Sequence, residues 1–191
     1  MRDGRGFVGL HTSNEDYYFL NFDQHLSFLV EHGFLADAEA TQVASAVQPH
    51  HALLRDTAPV LVHKDLALWN VLGTPNEAVA IIDWDDAVGG DPMDDLSLLA
   101  CFHPAACVDA AMQAYAEERS LPDQHMTRFW LHLLRNLLVK SVIRVGAGYF
   151  EQSGGFLLGP GGGAALKAFT LARLRAAVSA LREGRAHLEY D

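Results

Sequence analysis

The sequence predicts a mostly helical α+β domain in which helices come first, a few short strands follow, and helices continue to the end. Half of the 191 residues are apolar, which is typical of a globular chain and not of a disordered one. The apolar residues recur about every 3.6 positions before and after residues 59–82, but about every second position within that segment. Because strands and helices do not alternate, a doubly wound parallel sheet is disfavoured.

The first quarter of the chain predicts an extended segment and a loop over residues 1–20, followed by two helices. Apolar residues recur at helical spacing over 22–30, and Gly33 supplies a stop. An alanine-rich helix is expected over about 36–47, where Pro49 ends it.

The strands are expected in the middle of the chain. Residues 59–62 are apolar and predict a short buried strand. Two further apolar runs, 71–72 and 79–82, flank the turn residues 73–76 and predict a hairpin.

Four helices are expected after the hairpin. The first has Asp91 as its N-cap and Pro92 in its first position. The others cover about 105–119, 122–146 and 163–183, and the last follows a glycine-rich loop.

Length and charge limit the function classes. The chain is expected to form one domain, residues 1–191. Its formal charge of −10 argues against nucleic acid as the main partner and favours cationic small molecules. We expect no membrane partner and a cytoplasmic location, because signal-peptide and membrane-spanning patterns are lacking and Cys101 and Cys107 suit reduced thiols.

Three short motifs lie close together between residues 63 and 95. They are H-K-D-L-A-L-W-N at 63–70, I-D-W-D at 82–85 and G-D-P-M-D-D at 90–95. Any one of them could be an ordinary turn or cap, since Asp and Asn are common there. Their order within one short segment is the more informative observation.

The predicted hairpin would bring Asp83 beside Asn70, so that these side chains and Asp65 lie at one end of a small sheet. Carboxylate and amide oxygens suit Mg²⁺. Asp65 could then accept a proton from an attacking hydroxyl.

The ordered motifs resemble the catalytic core of protein-kinase-like phosphotransferases, and most closely the aminoglycoside phosphotransferase family. The kinase pattern is a loop of the form H-x-D-x-x-x-x-N with a later metal-binding Asp. The resemblance implies a kinase-like C-terminal lobe, with a post-hinge segment and loop over 1–20, a catalytic and metal-binding segment over 59–96, and a helical subdomain over 97–185.

The resemblance also implies the chemistry. Asp65 would be the catalytic base or the positioner of the substrate hydroxyl, while Asn70 and Asp83 would bind Mg²⁺. The phosphoryl donor would be ATP or another nucleoside triphosphate, and the acceptor a hydroxyl of a small molecule.

Supporting roles follow from the same resemblance. His63 would brace the loop without transferring protons. Leu72 and Ile82 match positions that line the adenine pocket from below. Either Asp91 or Asp95 would hold the loop by hydrogen bonds, and the sequence does not choose between them.

The resemblance covers only the C-terminal lobe. An N-terminal lobe of strands, with a glycine-rich phosphate cover and a Lys–Glu pair that clamp ATP, has no counterpart before Asp65. Residues 5–10 are similar to the segment just beyond the hinge, so a truncated enzyme is expected. The alternative is a non-catalytic lobe that acts as a binding or pseudokinase module. Its upper face should be apolar and exposed, and self-association would cover it.

The acceptor stays open at this stage. The acidic chain favours a cationic aminoglycoside, although cholines, macrolides, sugars and homoserine-like compounds are acceptors of relatives with the same motifs. Lys64 is assigned a phosphate or loop contact, and Asp85 and Asp86 a cationic substrate, a second metal or solvent. His50 and His51 are interpreted as a surface turn. A helical metal-dependent hydrolase is a weaker hypothesis, because it lacks the usual His cluster.

Overall fold

Helices make up most of the chain, and the strands are short, as the sequence predicts. The computed structural model describes residues 2–3, 6–7, 11, 13–74, 76–153 and 161–190. Its strands are β1 (Arg2–Asp3), β2 (Gly6–Phe7), β3 (Val60–Val62), β4 (Val71–Thr74), β5 (Glu77–Ile81) and β6 (Val88–Gly90). Its helices are α1 (Asn14–Tyr18), α2 (Phe22–Glu31), α3 (Asp37–Val47), α4 (His51–Arg55), α5 (Met93–Leu99), α6 (Ala105–Glu118), α7 (His125–Gly146) and α8 (Gly162–Glu183).

Helix α7 is the centre of the hydrophobic core. Residues 129–138 are all buried, including the polar members of that run. The helix packs against α2, α5 and α8, and its apolar side chains join those of these helices in one hydrophobic cluster. Burial of this much apolar surface is the main stabilising term of such a domain. Several buried polar side chains of α7 make the contacts described below.

The described strands are few and short, as predicted, and they form separate two-stranded antiparallel sheets. β4 and β5 make the predicted hairpin, with Val71 opposite Ile81. β3 pairs with β6, a strand that the sequence did not predict. β3 is also less buried than expected, because Val62 is buried but Leu61 is 71% exposed.

The predicted helices are confirmed with shifted ends. α2 buries Phe22, Leu26 and Leu29 at helical spacing, and Gly33 follows it with φ +65°. The helix expected from residue 122 begins at His125. Since different criteria shift helix ends by a residue or two, most of these differences are small.

Two expectations near the N-terminus need correction. The loop expected at the end of residues 1–20 contains helix α1, where the Ser13 hydroxyl accepts from the Asp16 N–H at 3.0 Å and caps the first turn. His51 begins α4, and its ring nitrogen lies 2.8 Å from the Glu15 carboxylate, so it holds α4 to α1 instead of forming a turn.

Some expectations lie outside the described residues. They concern most of the post-hinge segment 5–10 and the glycine-rich loop over 154–160. Within the described part of the chain, no helix combines the length and the hydrophobicity that crossing a membrane requires.

Candidate active site

The 63–70 loop connects β3 to β4 and is held by the buried ring of His63. The His63 Nδ1 accepts from the Asp65 N–H at 3.2 Å, and its Nε2 lies 2.8 Å from the Ile82 carbonyl. Because a carbonyl only accepts, Nε2 is the protonated nitrogen. Both ring nitrogens are therefore engaged with the backbone, which fits a bracing role and leaves no nitrogen for proton transfer.

Asp95 contacts the same loop from helix α5. One carboxylate oxygen accepts from the His63 N–H at 2.7 Å and the other from the Lys64 N–H at 2.9 Å. Lys64 has φ +69°, an unusual conformation for a residue with a side chain. The paired hydrogen bonds hold the backbone in that conformation and so orient Asp65, the next residue.

Asp91 contacts α7 and not the loop. Its carboxylate accepts from Arg128 Nη1 at 2.7 Å and from the Met93 N–H at 2.9 Å. Burial alone would raise the pKa of Asp91, but His132, the Met93 N–H and Arg128 outweigh it and lower this pKa to about 2. Of the two acids that the sequence left open, Asp95 is therefore the one bonded to the loop.

The carboxylate of Asp65 has a partner on each oxygen. Lys140 Nζ lies 2.8 Å from Oδ1, and the amide nitrogen of Asn70 donates to Oδ2 at 3.2 Å. The same amide nitrogen donates to the Asp65 carbonyl at 2.9 Å. Asp65 and Asn70 thus form one rigid unit, in which the amide oxygen of Asn70 is the atom left for another ligand.

Asp83 follows β5 and is brought next to this unit. The Ile82 N–H donates to the Asn70 carbonyl at 2.9 Å, which fixes the position of the residue that follows. Asp83 has φ +66° and an exposed side chain. Among the described residues, none forms a hydrogen bond or ion pair with its carboxylate.

The oxygens of Asn70 and Asp83 fit the needs of Mg²⁺. This cation commonly uses one or two protein carboxylates and completes its shell with water and phosphate oxygens. The described part of the chain gathers no three His, Cys, Asp or Glu side chains into a metal cluster, but a site of this kind does not require three.

Of the two contacts expected for Lys64, with a phosphate or within the loop's surroundings, the structure shows the second. Its Nζ lies 2.8 Å from both oxygens of Asp94 and 3.1 Å from the amide oxygen of Asn136. The Lys64 and Asp94 side chains are 7% and 2% exposed. This pair fixes the loop to α5 and α7, and neither partner is free to bind a nucleotide.

The hairpin leaves an apolar surface open to solvent above the site. Leu72 and Ile82, the expected adenine-lining residues, are 48% and 42% exposed. Other large apolar side chains of residues 61–84 are also exposed, namely Leu61, Leu68, Trp69, Val79, Ile81 and Trp84. Exposed apolar surface of this kind often marks a binding site.

A family model matches most of the chain. Residues 10–138 match the model of the APH phosphotransferase enzyme family, and this span includes the 63–70 loop, Asp83 and helix α5. Among curated protein sequences, none matches the chain.

Solved structures resemble the chain over about half of their own length. The apo form of a thermostable mutant of aminoglycoside phosphotransferase APH(4)-Ia is 21% identical, with a TM-score of 0.62, over 94% of this chain and 55% of that one. A form of that mutant with one further substitution, in a ternary complex with AMP-PNP and hygromycin B, is 21% identical with a TM-score of 0.62, over 97% of this chain and 57% of that one. A candidate fructosamine-3-kinase from Thermobifida fusca YX-ER1 is 25% identical, with a TM-score of 0.61, over 88% of this chain and 52% of that one. These likenesses confirm the kinase-like, mostly helical fold.

The Asp95 contacts predict a local effect on the loop. Asp95→Asn keeps the shape, but its NH2 group cannot accept and its remaining oxygen is uncharged, so one hydrogen bond is lost and the other weakened. We expect the free energy of opening the loop to fall by about 1–3 kcal/mol. Native-state hydrogen exchange of the His63 and Lys64 amides measures it. Asp85→Asn, at an exposed position, is the matched control. Equal protection of both amides in the two variants would show that Asp95 does not hold the loop.

The Asp91–Arg128 pair predicts a pH dependence. Because the pKa of Asp91 is lower in the folded chain, about 2 against a usual 3.8, its stabilisation is complete above about pH 4 and is lost as the pH falls toward 2. Asp91→Asn leaves Arg128 buried without its partner and should cost about 3–5 kcal/mol at neutral pH. Urea unfolding of the unaltered chain and of Asp91→Asn measures the difference between their free energies of unfolding. This difference should shrink by about 2 kcal/mol between pH 4 and pH 2. A constant difference would contradict the assigned pair.

Proposed function

The chain belongs to the APH phosphotransferase enzyme family, and from that premise we propose that it transfers a phosphoryl group from ATP to a hydroxyl of a small molecule in a Mg²⁺-dependent reaction. The observation that carries the proposal is the unit of Asp65 and Asn70 with Asp83 beside it, whose carboxylate has no hydrogen bond or ion pair among the described residues. Together these residues would supply a hydroxyl-orienting acid and two cation ligands.

Asp65 is the group that would meet the acceptor hydroxyl. Its side chain is 25% exposed, so a small molecule can reach it. Since Asn70 holds one carboxylate oxygen, the hydroxyl would compete with Lys140 for the other. Asp65 would orient the hydroxyl and accept its proton as the bond to phosphorus forms.

Asn70 and Asp83 would hold the magnesium ion through their free oxygens. Held there, the ion would supply positive charge that offsets the negative charge of the nucleotide phosphates. Leu72 and Ile82 would lie under the adenine ring, which accounts for their exposure when no nucleotide covers them. The ternary complex of the similar APH(4)-Ia mutant contains AMP-PNP, a nucleotide, which supports an ATP-type donor.

The chain spans only 52–57% of the length of the solved structures that it resembles, so the whole activity is a proposal. The uncovered apolar surface around Leu72 and Ile82 favours a second candidate function, a non-catalytic kinase-like lobe that binds partners. Self-association through this surface would be one form of it. We place the protein in the cytoplasm, where nucleoside triphosphates are available.

The acceptor is a small molecule in this proposal. Hygromycin B is bound by the similar APH(4)-Ia mutant, and the net charge of −10 favours a cation of the aminoglycoside type. The charges close to Asp65, in contrast to the net charge, favour an anionic acceptor.

Two substitutions separate metal binding from chemistry. Asp83→Ala should abolish the Mg²⁺-dependent part of nucleotide binding, because it removes the only carboxylate of the proposed cation site. Asp65→Asn should leave that binding within about threefold and lower turnover by about 10²–10⁴-fold. Calorimetric titration of ATP with and without Mg²⁺ and transfer of labelled γ-phosphate measure the two effects.

The outcomes distinguish the two candidate functions. Unchanged Mg²⁺-ATP binding in Asp83→Ala would show that the metal assignment is wrong. Binding without transfer to any acceptor would favour the non-catalytic lobe.

A further inference from the structure

A cleft of about 320 Å³ opens beside the 63–70 loop, between α7 and the α1–α2 corner. Arg135, Asn136, Val139, Lys140 and Ile143 form one wall, at the spacing of a single helix face. Tyr17 and His25 contribute to the opposite wall. Lys140 also contacts Asp65, so one residue of the cleft wall touches the Asp65 carboxylate.

Arg135 is the central charge of this cleft. It is only 7% exposed, its guanidinium lies 4.5 Å from the centre of the Tyr17 ring, and Nε and Nη2 donate to the Tyr18 and Tyr17 carbonyls. Among the described residues, no carboxylate lies within 4.0 Å of it and none accepts from Nη1. A buried cation without an anion is costly, so an anion at the open edge of Arg135 would be stabilised.

The other charges near the cleft do not supply that anion. Asp94 is neutralised by Lys64 at 2.8 Å, and Asp65 by Lys140 at 2.8 Å. His25 adds no charge at neutral pH, because burial and the nearby Arg135 lower its pKa. Because Lys64 and Lys140 are taken up by these pairs, the remaining charged residues that line the cleft are Arg135 and Asp86. Asp86 is exposed, so water solvates its charge, whereas Arg135 is buried.

We propose that this cleft is the acceptor site and that its ligand is a small polyhydroxylated carboxylate, not a cationic aminoglycoside. The identification of the ligand as the acceptor rests on the proposed function, whereas its charge rests on the cleft alone. The planar guanidinium edge of Arg135 matches a carboxylate. Arg135 and Lys140 are five positions apart, about 7.5 Å along the helix axis, which sets the scale between the carboxylate and the reacting hydroxyl at Asp65.

The test uses three linear polyols that differ only in the group at C1. Gluconate carries a carboxylate there, sorbitol a hydroxymethyl group and glucamine an aminomethyl group. Each is titrated into the isotope-labelled 191-residue chain without nucleotide or Mg²⁺, and backbone and arginine side-chain resonances are followed by NMR. We expect gluconate to shift the resonances of Tyr17 and Arg135, with an affinity at least about tenfold higher than that of sorbitol. Glucamine should be the weakest.

Variants locate the effect. Arg135→Gln should abolish the preference for gluconate, while Arg175→Gln, the same charge change at an exposed pair with Glu39, should keep it. Because Arg135 also holds the Tyr17 and Tyr18 carbonyls, the resonance map of the unaltered chain gives a second readout that needs no variant. Lys140→Gln should lower the affinity for gluconate less than Arg135→Gln does.

Three results would overturn the proposal. Tightest binding by glucamine, weakened by Asp86→Asn, would identify a cationic acceptor. Gluconate binding that maps outside the cleft or survives Arg135→Gln would place the anion elsewhere. If gluconate shifted no resonance of a cleft residue, the cleft would not be a carboxylate-binding site. Because no phosphoryl transfer is measured, these failures are separate from failure of the proposed function, which depends on Asp65 and Asp83.

Discussion

The hydrogen bonds from the His63 and Lys64 N–H groups to the Asp95 carboxylate are the constraint on which the rest of the site depends. They connect a loop with an unusual backbone at Lys64 to helix α5, which is packed firmly against α7. Burial raises the pKa of Asp95, and the hydrogen bonds from the His63 and Lys64 N–H groups oppose this rise. The loop and the helix thus stabilise each other.

A second layer of buried charge connects the loop to α5, and α7 to the residues just before α5. Lys64 pairs with Asp94, and Arg128 pairs with Asp91. Such pairs add less stability than their distances suggest, because desolvation offsets the attraction, but breaking one is costly. Their effect is to fix the orientation of α7, which delivers Lys140 to Asp65 and Arg135 to the neighbouring cleft. Catalysis of phosphoryl transfer depends mainly on precise positioning of this kind.

Much of this arrangement could be predicted from local sequence. The spacing of Phe22, Leu26 and Leu29 predicted α2, and the 73–76 turn predicted the hairpin that brings Asp83 beside Asn70. The missed features depend on tertiary contacts or on weak signals. β6 is short and contains two glycines, so that only its pairing with β3 defines it. Lys140 and Asp65 are 75 residues apart, and no spacing rule connects them. Net charge does not report the charges that line one cleft, so the acceptor class inferred from it stays a prediction.

The most direct test of the central claim, that Asn70 and Asp83 form the cation site, is a titration with Mn²⁺ followed by NMR. Mn²⁺ accepts the same oxygen ligands as Mg²⁺, and its unpaired electrons broaden the resonances of nearby nuclei. In the presence of a nonhydrolysable ATP analogue, the Asn70 side-chain amide and the Asp83 backbone amide should broaden first, and Asp83→Ala should remove the effect. Earlier broadening at Asp91 and Asp94, or an unchanged titration in Asp83→Ala, would contradict the account.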